Sequence, residues 1–254
     1  MSLPRLMVAP NGGRRGKADH PALPVTLTEI LDCARACRAA GADGLHLHLR
    51  DDTGRHVLDA ARYRAALSEL NAAVPDMRIQ VTTEAVDRYG PGHQRHVALT
   101  SGAAMVSVSI REICRDTPDA RVAAFFERCA EAGIAVQHIL YDTDDTALLA
   151  RVLPPAQMAD PGLQLLFVLG RYSETQDSAP VDLDPFLHDI AARGLAPDWA
   201  VCAFGRGETA CLRHAIERGG KVRVGFENSV WREDGTRARD NAQRVADIRR
   251  LMEG

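Results

Sequence analysis

Two histidines separated by one residue, His46 and His48, lie in the run GLHLHLRDD. In a β-strand successive side chains alternate, so both imidazoles leave one face while Leu45, Leu47 and Leu49 leave the other. Polar rings turned toward an interior must be hydrogen-bonded or must bind an ion. A third candidate comes from the run KVRVGFENS, where Arg223, Gly225 and Glu227 alternate onto one face with Glu227 at the carboxyl end. Two imidazoles and a carboxylate leave one position open on a zinc ion, and the same set suits non-haem Fe(II). A hydrogen-bonded structural pair is the competing reading of the two histidines alone.

Other strand ends offer hydroxyls and amides: Gln80 and Thr82, Ser107 and Ser109, and Gln137. Such groups could bind a substrate carboxylate or keto oxygen, or could be ordinary satisfied residues. In APNGGRR, Gly12 and Gly13 permit close backbone approach while Arg14 and Arg15 supply fixed positive charge. The GRGET segment opens a helix, where the amides of Gly205, Arg206 and Gly207 could hold a phosphate or simply start the helix.

These residues need a frame that brings strand ends together. Short Val-, Ile- and Leu-rich runs span 5–9, 44–49, 78–82, 104–109, 134–141, 163–169, 199–204 and 221–226. Stretches with a helical period follow each run, at 28–40, 59–73, 92–101, 119–132, 143–153, 183–193, 208–218 and 238–252. Thr28 before Glu29 reads as a helix cap, Gly41 and Gly133 as helix ends, and Pro154-Pro155 as a stop. Eight βα units without a low-complexity linker predict one α/β domain over 1–254, a single (β/α)8 TIM barrel. In that fold the carboxyl ends of the strands build the active site. The polar stretch 171–184 is long for a βα connection and reads as a functional or mobile loop.

The 254 residues are 46% apolar and 26% charged, a globular composition. With 31 Lys and Arg against 34 Asp and Glu, the net charge of −3 offers no basic field for a nucleic acid. The short apolar runs predict no membrane span, and the absence of a secretory pattern at the start predicts a cytoplasmic location. Six cysteines without a C-x-x-C read as reduced packing residues.

Taken together, the blocks APNGGRRGKADHPALPVT, AGADGLHLHLRDDTGR, QVTTEA, FVLGRYSETQD and VRVGFENSVW resemble the β-keto acid cleavage enzymes, which include the 3-keto-5-aminohexanoate cleavage enzymes. The similarity runs from Met7 to about Ala246. The resemblance implies a homo-oligomer, a tetramer, that uses zinc or another divalent ion. It also implies a reaction in which a β-keto acid and acetyl-CoA give acetoacetate and a new acyl-CoA. By that resemblance His46, His48 and Glu227 are metal ligands, Thr82 and Ser107 are hydroxyl positions toward the substrate, and Arg223 stands near the reacting carbons. Asn228 occupies a position where the family commonly has Asp, and an amide cannot accept a proton as a carboxylate does. Arg14 stands where members acting on an amino-substituted acid have Glu, and Gln137 and Ile139 stand on the matching fifth strand. Lost negative charge at both places predicts a preference for neutral or anionic β-keto acids. The alternatives are a metal-dependent aldolase or hydrolase without CoA, and a non-catalytic metal- or ligand-binding barrel.

Overall fold

In the computed structural model, which describes residues 1–173 and 175–253, eight parallel strands close into a barrel. Glu174, within the FVLGRYSETQD block, and Gly254 lie outside the described residues. The first half runs β1 (Leu6–Val8), α1 (Leu27–Ala39), β2 (Gly44–Leu47), β3 (Leu49–Arg50), β4 (His56–Val57), α2 (Ala60–Ala73), β5 (Arg78–Thr82), α3 (Pro91–Thr100), β6 (Met105–Ser109), α4 (Ile110–Cys114) and α5 (Asp119–Glu131). The second half runs β7 (Ala135–Leu140), α6 (Thr143–Val152), α7 (Pro155–Met158), β8 (Gln164–Leu169), α8 (Asp184–Ala192), β9 (Asp198–Ala203), α9 (Glu208–Glu217), β10 (Lys221–Val224) and α10 (Asn241–Glu253). Around the ring the order is β1-β10-β9-β8-β7-β6-β5-β2, so β10 and β2 flank β1. That adjacency brings the ends of the chain's second and last barrel strands to one side.

Alternation along each strand divides the apolar residues into two cores. Leu6, Val8, Leu45, Leu47 and Val81 face outward and pack under the helices. Met7, Met105, Leu166, Ala200 and Cys202 fill the barrel interior. Above that plug the inward positions turn polar: His46 registers with Gln80, Thr82 with Ser107, and Ser107 with Gln137. Among the described residues no helix is long and apolar enough to cross a membrane.

Three expectations change. The cap of α1 is Thr26, not Thr28: Thr26 Oγ1 accepts from the Glu29 amide at 3.2 Å while Glu29 Oε2 accepts from the Thr26 amide at 3.0 Å. A capping box needs the carboxylate three residues on, and only Thr26 has that spacing to Glu29. The second strand ends at Leu47, and the chain then forms the antiparallel β3–β4 hairpin, whose turn is held by Asp51 Oδ1 accepting from the Thr53 and Arg55 amides. The eighth barrel strand ends at Val224 because Gly225 takes φ +141 with the Ala9 carbonyl 2.4 Å from where a Cβ would sit. Glu227 is therefore delivered by a turn rather than by strand alternation, and its amide donates to the Ala9 carbonyl at 3.1 Å.

Candidate active site

At the carboxyl end of the barrel, one ligand atom each from His46, His48 and Glu227 lies within 4.8 Å of the others. The Nε2 atoms of His46 and His48 are 3.1 Å apart, and Glu227 Oε2 lies 3.6 Å and 3.7 Å from them. Two ligands at about 2.0–2.1 Å from a tetrahedral zinc would stand about 3.4 Å apart, so the spacing fits.

The hydrogen bonds behind the histidines decide which ring nitrogens carry protons. One chain starts at the Leu165 carbonyl, which only accepts. Gln137 Nε2 donates to it at 3.4 Å, Gln80 Nε2 donates to Gln137 Oε1 at 2.8 Å, and Gln80 Oε1 accepts from His46 Nδ1 at 2.7 Å. The other starts at the Glu84 carbonyl, which accepts from His56 Nε2 at 3.0 Å, leaving His56 Nδ1 to accept from His48 Nδ1 at 3.4 Å. Both chains end in an Nε2 lone pair, and the two lone pairs face each other. Glu227 Oε2, without a partner among the described residues, faces both. Three electron-rich atoms turned toward one point repel unless a cation lies between them, so these residues fit a divalent metal.

Electrostatics puts these three groups in the protonation states that a metal requires. Burial, with Arg223 nearby, pushes His46 down to about 4, and burial lowers His48 well below its ordinary value. Burial pulls Glu227 upward, but the Arg223 guanidinium and other neighbouring cations outweigh it and hold the carboxyl below its usual range. Near neutrality the set is two neutral imidazoles and one carboxylate. Gly12, at φ +60, lets the first loop press on this carboxylate, since a Cβ there would stand 2.6 Å from Glu227 Cγ.

The cavity over the cluster is walled by Thr82, Glu84, Ser109, Ile139, Tyr141, Val168, Arg171, Phe204 and Arg223. Arg223 uses one nitrogen on Glu227 Oε1 at 3.2 Å and on Cys202 Sγ at 3.3 Å, while its Nε and other terminal nitrogen are buried without partners among the described residues. The Ser109 hydroxyl has no partner among the described residues, and Thr82 Oγ1 accepts from the Glu84 amide at 3.0 Å. Glu84 is the carboxyl missed by the reading of the sequence: burial, then Glu227 and Glu112, push it up to about 7. Its only signal was an acidic residue two positions past the end of the third barrel strand. Arg171 was missed as well, because it lay inside a loop with no regular period.

The other expected site residues take other positions. Gln137, expected as a substrate contact, is hydrogen-bonded in the chain behind His46 and stands outside the cavity wall. Ser107 lies buried one layer below Ser109, its hydroxyl without a partner among the described residues. Asn228 is fully buried, with both amide atoms unpartnered among the described residues, and does not line the cavity. Arg14 stands at the rim, half exposed, 3.0 Å from Asp87 and 3.9 Å from Glu84. At Gly205, Arg206 and Gly207 the chain after β8 occupies the helix start. Asp177 Oδ1 accepts from the Arg206 amide at 3.1 Å, the Ser178 carbonyl covers Gly207, and the Arg206 guanidinium sits 3.6 Å from the Trp231 ring centroid. A phosphate there would have to displace a carboxylate already in place.

A model of the beta-keto acid cleavage enzyme family matches residues 5–254. The 3-oxoadipate:acetyl-CoA acetyltransferase of Cupriavidus necator is 28% identical, covering 98% of this chain and 88% of the relative. The 3-keto-5-aminohexanoate cleavage enzyme of Fusobacterium nucleatum is also 28% identical, covering 94% and 88%. Among solved structures, a binary complex of ObcA with oxaloacetate superimposes with a TM-score of 0.67 at 16% identity, over 91% of this chain and 63% of that longer one. That last likeness concerns the barrel alone. With its barrel and its His-His-Glu cluster, this chain belongs to the β-keto acid cleavage enzyme family.

Proposed function

We propose that this protein transfers an acyl group from a β-keto acid to CoA, releasing acetoacetate. The observation that carries the reading is the convergence of two imidazole lone pairs and a free carboxylate oxygen on one cavity that also receives the unpartnered donors of Arg223. In the overall change the α-carbon of the keto acid bonds to the acetyl carbonyl carbon, and CoA passes to the keto carbon. The bond between the keto carbon and the α-carbon then breaks, so acetoacetate leaves with the substrate's carboxylate and the remainder leaves as acyl-CoA.

His46, His48 and Glu227 would hold the metal, and the donor set favours zinc. When bound, a divalent ion supplies Lewis-acid polarisation of a carbonyl. Arg223 directs its free N–H groups at oxygen where negative charge develops, in a buried setting where such donors act strongly. Ser109 and Thr82 present hydroxyls that orient the substrate carboxylate. Ile139, Tyr141, Val168 and Phe204 exclude water. Asn228 cannot take the α-proton, which leaves Glu84 as the cavity carboxyl, among the described residues, outside the ligand set. Placing Arg14 and Arg171 at the rim supports neutral or anionic substrates over cationic ones, and the acetyltransferase named for 3-oxoadipate supports the same direction.

The test is a panel of β-keto acids with the zinc-loaded protein, with acetoacetate as the readout. Acetoacetate formation should require acetyl-CoA. Consumption of a keto acid at equal rate without acetyl-CoA would replace this reading with a hydrolase or aldolase.

A further inference from the structure

The metal cluster and Arg223 account for the inner part of the cavity but not for the cations at its mouth. Glu84, Arg171, Phe204 and Glu227 line both the inner cavity and an outer one, whose walls add Arg14, Arg15 and the Gly12–Gly13 turn. Arg171 thus stands where the two meet. Its side chain is only 16% exposed, and its nearest carboxylate oxygen, Glu84 Oε1, is 3.7 Å away, beyond hydrogen-bond distance. Aromatic faces hold it instead, with Phe204 at 5.2 Å and Tyr172 at 5.9 Å from its central carbon. Arg14 is engaged by Asp87 at 3.0 Å and Arg15 donates to the Phe226 carbonyl at 2.9 Å. Among the described residues, Arg171 is the rim guanidinium that makes no hydrogen bond.

Charge points the same way. Arg14, Arg15, Arg171 and Arg223 line the two cavities against Glu84 and Glu227, and Asp87 pairs with Arg14 at the rim, which leaves an excess of one positive charge before any ion is counted. Alongside Arg223 and Arg171 the inner wall carries Ile139, Tyr141, Val168 and Phe204, which suits methylenes and holds no carboxylate for an ammonium group. A ligand matching that sequence of surfaces has an anionic end at the metal, a short apolar middle and a second anionic end at the rim.

We propose that Arg171 is a specificity-determining residue that binds a second, distal carboxylate, so that the preferred β-keto acids are dicarboxylic. This rests on the β-keto acid reading above. The planar fork of a guanidinium pairs with a carboxylate through two parallel hydrogen bonds. A phosphate of CoA offers the same oxyanion chemistry, so the experiment separates the two sources.

Turnover of 3-oxoadipate and 3-oxohexanoate, which share a chain length, is compared with the zinc-loaded protein and acetyl-CoA. The wild type should favour the dicarboxylic acid in kcat/KM, and Arg171→Gln should reduce that preference about 10- to 100-fold, the scale of a hydrogen bond to a charged group. Arg171→Lys, keeping the charge without the fork, should retain part of it. An unchanged preference in Arg171→Gln overturns the assignment. So does a raised KM for acetyl-CoA in that variant that is absent with acetyl-pantetheine, because the rim would then serve CoA's phosphates. Calorimetric binding of adipate and hexanoate to the wild type reads the same site without turnover, with adipate expected to bind tighter and equal affinity counting against the proposal. If no keto acid is consumed, the proposed function fails while the calorimetry still decides the site.

Discussion

Two clusters of buried polar side chains lie on either side of β10, and they are built to opposite ends. Outside the strand, Arg244 and Glu208 are fully buried and meet at 2.7 Å. Arg244 also donates to Thr209 Oγ1 at 2.9 Å, and Glu208 Oε1 accepts from the Gly225 amide at 3.4 Å. Asn241 joins them, accepting from the Phe226 amide at 2.9 Å and donating to the Pro10 carbonyl at 3.0 Å. This cluster spends its groups on the backbone just before Glu227. Inside the strand, the His46, His48 and Glu227 cluster has its far atoms tied to the Gln80 amide, the His56 imidazole and the Arg223 guanidinium and, among the described residues, its near atoms left over. One cluster holds a turn in place, and the other presents unused lone pairs. Burial alone does not mark a functional site; convergent unsatisfied atoms do.

The largest effect expected is in the structural cluster. Arg244→Met leaves Glu208 buried without its cation and should cost about 3–5 kcal/mol of stability, read by urea unfolding. A loss under 1 kcal/mol would mean that the two clusters do not differ as described. Inside the barrel, Arg223→Lys should leave stability nearly unchanged and lower kcat by about 10²–10³, because an ammonium cannot reproduce the two free donors. Should KM rise with kcat intact, Arg223 would be a general binding residue instead.

A smaller effect tests the tautomer chains. His56→Leu removes the acceptor of His48 Nδ1 and should weaken zinc binding about 10- to 100-fold in competition with a chelator. His56→Gln, which can still accept from His48 and donate to the Glu84 carbonyl, should recover most of it. Equal affinity in wild type and His56→Leu would show that the hairpin does not orient the ligand.

The smallest effect concerns a buried histidine outside both clusters. His138 on β7 packs its ring against Phe126 with Nδ1 unpartnered among the described residues, and burial pushes its pKa down to about 3. The unfolded chain takes up that proton below about pH 6.5 while the folded chain does not, so stability falls as pH drops through this window. The cost is about 1.4 kcal/mol at pH 5.5. His138→Phe should lose less stability than wild type between pH 7 and pH 5.5; parallel curves would place a partner on this ring.

Reading the chain locally reached the parts of the site that depend on a short period. His46 and His48 share a face because two residues is the repeat of a strand, and the eight βα units follow from apolar spacing and turns. The expectation placed Glu227 beside the histidines by strand alternation, whereas the backbone brings it there by a turn, since Gly225 breaks the strand before it. Nothing local showed that Gln137 sits behind His46, because those two residues are 91 apart and are linked only through Gln80 across neighbouring strands.

What the sequence by itself determined is the barrel and the identity of its metal-ligand candidates, because hydrophobic period and side-chain alternation are properties of adjacent residues. What only the tertiary structure decided is the state of those residues: which nitrogens carry protons, which carboxyl is left free, and which guanidinium faces the cavity mouth. His56 reaches His48 through a hairpin turn, Glu84 reaches the cavity from the end of β5, and Arg171 meets both cavities from the end of β8. Each of these depends on closing the ring, because hydrogen bonds and desolvation act over a few ångströms of space however far apart the residues lie along the chain.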